Sequence, residues 1–89
     1  MTNRLEIDRA SITDNDVERQ IEFSAEIDAE ERDFAVKYAV LKELSGDEPE
    51  DDALEIFDRF NDEIADFCAD AALKRPTATV VIVDEGDLE

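Results

Sequence analysis

Carboxylate side chains outnumber basic ones three to one in this chain, and any fold that it adopts must keep them in water. The sequence has 27 Asp and Glu residues, 9 Lys and Arg residues and no His, which gives a formal net charge of −18 over 89 residues. Burying an unpaired carboxylate is too costly for a small domain, so the core must come from the 43% of residues that are hydrophobic. With two Gly and two Pro, the composition does not resemble a low-complexity segment. We predict a single folded domain over residues 1–89, with flexible ends at about 1–3 and 85–89.

Two runs of hydrophobic residues at a spacing of two predict a β-hairpin. The first run alternates with polar side chains and consists of Ile21, Phe23, Ala25 and Ile27. The second run follows a short polar connection at 28–31 and consists of Phe34, Val36, Tyr38 and Val40. Leu5 and Ile7 have the same spacing and indicate a further short strand, whereas the Thr-Asp-Asn-Asp segment at 13–16 is typical of a turn.

The strongest pattern in the chain is that of an amphipathic helix between Ala53 and Leu73. Its predicted hydrophobic face consists of Ala53, Ile56, Phe57, Phe60, Ile64, Phe67, Cys68 and Ala71. Asp47 and Glu50 have the spacing of a capping box at its entrance, and Pro76 ends it. A short helix that starts near Ala39 and ends before Gly46 is predicted to precede it.

The β-branched run from Ala78 to Val83 predicts a last strand. The resulting order of strands, short helix, long helix and strand predicts an α+β fold. In that fold an antiparallel sheet of three to four strands has one long amphipathic helix, with a short one beside it, packed on one face.

The same order of elements resembles that of domain-of-unknown-function family 1488, a group of small bacterial α+β proteins. The resemblance covers residues 12–88 and rests on the hairpin at 17–40, on the helical segment Ile56-Phe57-Asp58-Arg59-Phe60-Asn61-Asp62-Glu63-Ile64, and on the apolar strand that ends at Asp84 to Leu88. Where the family tends to have Arg after the Asn of the helical segment, this chain has Asp62. The resemblance implies the α+β fold and no established activity.

The residue types that carry most chemistry are missing. Without His, the chain lacks the commonest general base and the commonest metal ligand, and its one Cys excludes an internal disulfide and a Cys-cluster zinc site. No acidic segment has the alternation and central Gly of a calcium-binding loop. Cys68 lies in the hydrophobic stripe and is expected to be buried. We predict that the protein is not an enzyme and has no catalytic, cofactor-binding or metal-binding residues.

The outer face of the predicted long helix is the candidate surface for binding a partner. Its acidic residues are Asp51, Glu55, Asp58, Asp62, Asp66 and Asp70. One hypothesis is an interaction or accessory domain whose charge reflects solubility in a salty cytoplasm. The alternative is a mimic of nucleic acid that inhibits or regulates a basic protein through this face.

The charge also limits the partners, because nucleic acid and anionic membranes would be repelled. A basic protein remains possible as a partner, and so do a monomeric state and a homodimer that pairs through the hairpin or through the strand at 78–83. The sequence has no signal peptide and no apolar run of about 20 residues, so a cytoplasmic location is expected.

Overall fold

The computed structural model describes residues 5–27, 29–49 and 52–88. Its five strands are β1 (Glu6–Ile7), β2 (Thr13–Asn15), β3 (Gln20–Ile27), β4 (Glu30–Lys37) and β5 (Val80–Val83). Its three α-helices are α1 (Tyr38–Ser45), α2 (Ala53–Arg59) and α3 (Asn61–Lys74). Short 3₁₀ turns occupy Arg9–Ser11 and Glu85–Leu88. The fold is α+β, as predicted.

The strands form one five-stranded sheet in the order β1-β3-β4-β5, with β2 also paired to β3. All pairs are antiparallel except β4 and β5, which run parallel, so the prediction of a wholly antiparallel sheet of three to four strands is wrong in this detail. The parallel pair arises because all three helices lie between β4 and β5 in the chain. The helices return the chain to the end of the sheet at which β4 begins, so β5 runs in the same direction as β4.

The hairpin is confirmed, and its alternation positions the core. Phe23 pairs with Phe34 across β3 and β4, and Phe34 pairs in turn with Val81 of β5. The rings of Phe23 and Phe34 stack with centroids 5.5 Å apart, and Phe57 of α2 meets Phe23 edge-on at 5.2 Å. These side chains are almost completely buried, so the helices cover one face of the sheet and leave the other face open.

The predicted long helix is two helices. Phe60 leaves the helical conformation with φ −106° and ψ 22°, so α2 ends at Arg59 and α3 begins at Asn61. The Asn61 side-chain amide donates to the Asp58 carbonyl oxygen at 2.7 Å, and such local bonds compete with the helical pattern. The hydrophobic stripe nevertheless faces the sheet on both sides of the break, and Cys68 is fully buried as predicted.

Two local predictions were wrong and two were right. Thr13–Asn15 is a strand rather than a turn, because it pairs with Gln20–Glu22 of β3. The short helix predicted from near Ala39 to just before Gly46 is confirmed as α1, which begins at Tyr38 directly after β4 ends at Lys37. The capping box at Asp47 does not start a helix, since α2 begins at Ala53, and Glu50 lies outside the described residues. Gly46 follows α1 with a φ of 79°, the left-handed conformation predicted for it.

Arg32 connects the helices to the sheet through side-chain hydrogen bonds. It pairs with the buried Ala25 and therefore points from β4 toward the helices. Its guanidinium donates to the carbonyl oxygens of Ala72 at 3.3 Å, Arg75 at 2.8 Å and Ala78 at 2.9 Å. One side chain thus satisfies acceptors at the end of α3 and along the connection to β5.

Candidate functional site

The predicted acidic face is divided between two helices. Glu55 and Asp58 are exposed on α2, and Asp62, Asp66 and Asp70 are exposed on α3, while Asp51 lies outside the described residues. The three aspartates of α3 are four residues apart, which separates consecutive carboxylates by about one helical turn, or about 6 Å along the axis.

Basic side chains of the same molecule form ion pairs with three acidic residues of this face. Arg9 pairs with Asp58 at 2.9 Å, Arg59 with Glu55 at 3.4 Å and Lys74 with Asp70 at 3.0 Å. All three pairs are exposed, so each contributes little to stability. Their effect on the surface charge is larger, because the three basic side chains interrupt the continuous row of negative charge that was predicted from the sequence.

Carboxylates occur on every side of the molecule. Within the ranges that the structure describes, Gln20 is the one polar or charged residue among the buried ones. Exposed acidic residues lie on the sheet, the helices and the connections, and they include Glu6, Asp14, Glu26, Glu31, Asp33, Glu43, Glu48, Glu63, Asp84 and Glu85. The negative charge therefore covers the whole surface and is not confined to one binding face.

The sheet itself brings like charges together. Glu6 of β1 lies directly opposite Glu26 of β3, and Glu26 lies directly opposite Glu31 of β4. Residues that face each other across antiparallel strands have Cβ atoms about 5 Å apart, and like charges in such positions are destabilising. This row of three glutamates, hereafter the glutamate row, is a local concentration of repulsion within the fold.

An open cleft of about 630 Å³ gathers basic residues at the end of the sheet where β4 passes into α1. Its basic lining residues are Arg19, Lys37 and Lys42, three of the nine in the chain, and its acidic ones are Glu18, Glu48, Asp84 and Glu85. Lys42 Nζ lies 2.7 Å from Glu48 Oε1, and this contact raises the pKa of Lys42 and lowers that of Glu48. The cleft is therefore a mixed, largely self-paired surface.

Arg19 and Tyr38 form the wall of this cleft. Arg19 has a φ of 56°, an uncommon left-handed conformation for a residue other than Gly. The Arg19 carbonyl accepts from the Tyr38 backbone N–H at 2.9 Å, and its guanidinium carbon lies 5.4 Å from the centre of the Tyr38 ring. The Tyr38 hydroxyl donates to the Asp14 carboxylate. These contacts join the turn after β2 to the start of α1.

The Tyr38 hydroxyl should lose its proton at a higher pH than the hydroxyl of an ordinary tyrosine. Burial raises its pKa to about 12, and the hydrogen bond to Asp14 and the negative charge of that carboxylate act in the same direction. Because the folded state holds the proton more tightly than the unfolded state, the stabilisation is complete below pH 10 and is lost as the pH rises from about 10 to about 12. The chain has one Tyr and no Trp, so tyrosinate absorbance reports on this residue alone.

The matched variant for this titration is Asp14→Asn, which removes the negative charge and should bring the pKa of Tyr38 back toward 10. A titration midpoint near 10 in the folded wild-type protein would show that the hydroxyl is not held as described.

Glu22 organises the open face of the sheet. Its Oε2 accepts from Asn15 Nδ2 at 3.0 Å and from Gln20 Nε2 at 2.6 Å. The bond from Gln20, then that from Asn15, and the charge of Lys37 lower the pKa of this carboxyl. An ionised acceptor fixed by two amides holds β2 to β3 but offers no proton donor or nucleophile for chemistry.

Across the described residues, no group of three or more potential ligands is arranged to hold a metal ion. None of the described helices is long and apolar enough to cross a membrane.

Neither the cleft nor the cluster of Asn15, Gln20 and Glu22 on the open face of the sheet was predicted from the sequence. The cleft is assembled from four segments of the chain, at 18–19, 37–42, 48–49 and 84–86, and no pattern within any of them indicates that they meet. The one signal that could have indicated the cluster is the group of amide and carboxylate residues in 15–22, of which the predicted turn at 13–16 includes only the first two.

A comparison with known families and a comparison with known structures both relate this chain to the same family. The family model described as "Protein of unknown function (DUF1488)" matches residues 8–82. The fold is similar to that in a crystal structure of a protein of unknown function from the DUF1488 family of Shewanella loihica PV-4, with a TM-score of 0.74 and 17% identity. That similarity covers 94% of this chain and 96% of the other. No curated protein matches the sequence.

Proposed function

The chain belongs to the DUF1488 family, whose function is unknown, and from that premise we propose that it is a non-catalytic interaction or accessory domain whose charge keeps it soluble in a salty cytoplasm. The observation that carries this proposal is the glutamate row, in which Glu6, Glu26 and Glu31 face one another across three strands. A protein that folds at low ionic strength gains nothing from such a row, whereas salt removes most of its cost.

The total charge supports the same proposal. Nine basic residues can pair with at most nine of the 27 acidic ones, so the excess of −18 has no compensation within the chain. The Debye length falls from about 10 Å in 0.1 M salt to about 3 Å in 1 M salt, which is shorter than the distance across the glutamate row. Molar salt therefore suppresses the repulsion between neighbouring carboxylates as well as the long-range repulsion.

The proposal is tested by urea unfolding, which adds no salt of its own, followed by circular dichroism. We expect the free energy of unfolding to rise by about 2 kcal/mol or more between about 50 mM and about 2 M KCl. Glu26→Gln breaks the glutamate row at its centre and should raise stability at low salt while reducing the gain from KCl. Glu43→Gln is the matched control, because Glu43 is exposed on α1 and faces no carboxylate across the sheet. Equal stability of the wild-type protein at both salt concentrations would overturn the proposal.

The alternative function is that of a nucleic-acid mimic, and the regular spacing of Asp62, Asp66 and Asp70 on α3 is the observation that favours it. Under this alternative, a basic protein captured from the native cytosol at low salt is displaced by double-stranded DNA. Replacing the three aspartates by Asn should abolish that DNA-sensitive capture, while replacing the glutamate row by Gln, which removes the same charge elsewhere, should not. Equal losses in both variants would show a general charge effect and exclude a dedicated face.

A further inference from the structure

Strand β5 forms an outer edge of the sheet. The strand order ends at β5, which pairs with β4 on one side. No strand within residues 5–27, 29–49 or 52–88 pairs with its other side. Alternate residues of an edge strand direct their N–H and C=O groups outward, and these groups can pair with the strand of another chain.

This edge strand is short, at four residues, but it lacks the charged side chains that protect many such strands. Proteins that remain monomeric place charged residues on their edges. Here residues 76–83 form the longest uncharged segment of a chain in which 40% of residues are charged, and β5 lies within it. Val80 and Ile82 point to the open face and are 43% and 45% exposed. A hydrophobic edge without charged residues, in so charged a chain, favours pairing.

The residues that flank β5 select a second copy in antiparallel orientation. Lys74, which also pairs with Asp70 at the exposed end of α3, and Arg75 precede the uncharged segment, whereas Asp84 and Glu85 follow β5. When two copies pair about a two-fold axis, the start of one strand lies beside the end of the other. The basic flank of each copy is then on the same side as the acidic flank of its partner. Parallel pairing would instead bring the two acidic flanks together, so the charge pattern fits the two-fold arrangement.

We propose that two copies of this chain associate through antiparallel pairing of β5, which joins their sheets into one and brings Val80 and Ile82 of each copy together on the open face. The net charge of −18 per copy opposes the association at low ionic strength. Salt screens this long-range repulsion, so the dimer is favoured at the ionic strength at which the hydrophobic edge can act. The inference goes beyond the proposed function, since a salt-adapted accessory domain could equally be a monomer.

Sedimentation equilibrium over a range of protein concentrations tests the proposal at about 50 mM and about 1 M KCl. The wild-type protein should change from mostly monomer to mostly dimer as the salt concentration rises. Ile82→Lys places a charge on the edge and should remain monomeric at both, with an unchanged circular dichroism spectrum. Val17→Lys is the matched control, because Val17 is 86% exposed and lies outside β5, and it should dimerise like the wild-type protein. A wild-type monomer under both conditions, or a dimer that Ile82→Lys leaves intact, would overturn the proposal.

The orientation of the strands has its own measurement. A spin label attached at Thr79→Cys, in a Cys68→Ala background, lies just before β5. Antiparallel pairing about the centre of the strand separates the two labels by about 15 Å or more, whereas parallel, in-register pairing places them about 5 Å apart. The shorter distance would exclude the two-fold arrangement, even if the protein dimerises.

Discussion

Arg32→Met should lower the free energy of unfolding by about 3 kcal/mol, because the two shorter of its three hydrogen bonds are only partly buried and contribute about 1.5 kcal/mol each, the lower end for a charged donor. Methionine fills a similar volume but donates to none of the three carbonyl oxygens. These acceptors would remain half-buried between the end of α3 and the start of β5 without their partner. A domain of this size has a total stability of about 5–15 kcal/mol, so the loss is a large fraction of it.

Two variants separate this role from a general effect of charge. Arg32→Lys keeps the positive charge but cannot reach three acceptors with a planar group, and it should fall between the wild-type protein and Arg32→Met. Arg9→Met removes an exposed arginine that pairs with Asp58, and its effect should stay below about 1 kcal/mol. Urea unfolding measures all three. Equal stabilities of Arg32→Met and Arg9→Met would contradict the role assigned to Arg32.

Phe34→Ala should cost about 4 kcal/mol, the largest effect expected from a single core substitution. Phe34 is 1% exposed, stacks on Phe23 and pairs on its other side with Val81, so its ring lies at the centre of the three longest-paired strands. Removing the ring leaves a cavity that the rigid sheet cannot close.

Phe34→Leu provides the quantitative test if Phe34→Ala does not fold, with an expected loss of about 1–2 kcal/mol. Phe67→Ala is the matched comparison, because Phe67 is half-buried on α3 and should cost less than Phe34→Ala. A larger loss at Phe67 than at Phe34 would contradict the position of the core.

Elements with a clear hydrophobic period could be predicted, whereas the pairing of distant segments and short polar strands could not. The alternation of Ile21 to Ile27 identified β3, because one face of that strand is buried and the other is open. The break at Phe60 was missed, since the hydrophobic period continues through it and the competing bond of Asn61 is a local detail that periodicity does not report. The parallel pairing of β5 depends on a contact with β4 that no pattern within either segment encodes.

The functional surfaces show the same division. The exposure of Asp62, Asp66 and Asp70 follows from helical spacing and was predicted correctly, but the cations that contact Asp58 and Asp70 reduce the continuity of that face. Arg32 gave no signal, because a charged residue inside a hairpin looks like any other polar position until its acceptors, some 40 residues later, are known. The glutamate row likewise exists only through strand register.

The parallel pairing of β4 with β5 also has a consequence for the kinetics of folding. All three helices form the connection between these two adjacent strands, so the pairing of Val80 with Asp33 closes a loop that contains the whole helical layer. Closing so long a loop costs entropy before the contact repays it, which raises the contact order and slows folding. On the ribosome, β4 stays an unpaired edge until β5 emerges. The pairing of β5 with β4 is therefore the strand pairing with the largest entropic cost of loop closure in this domain.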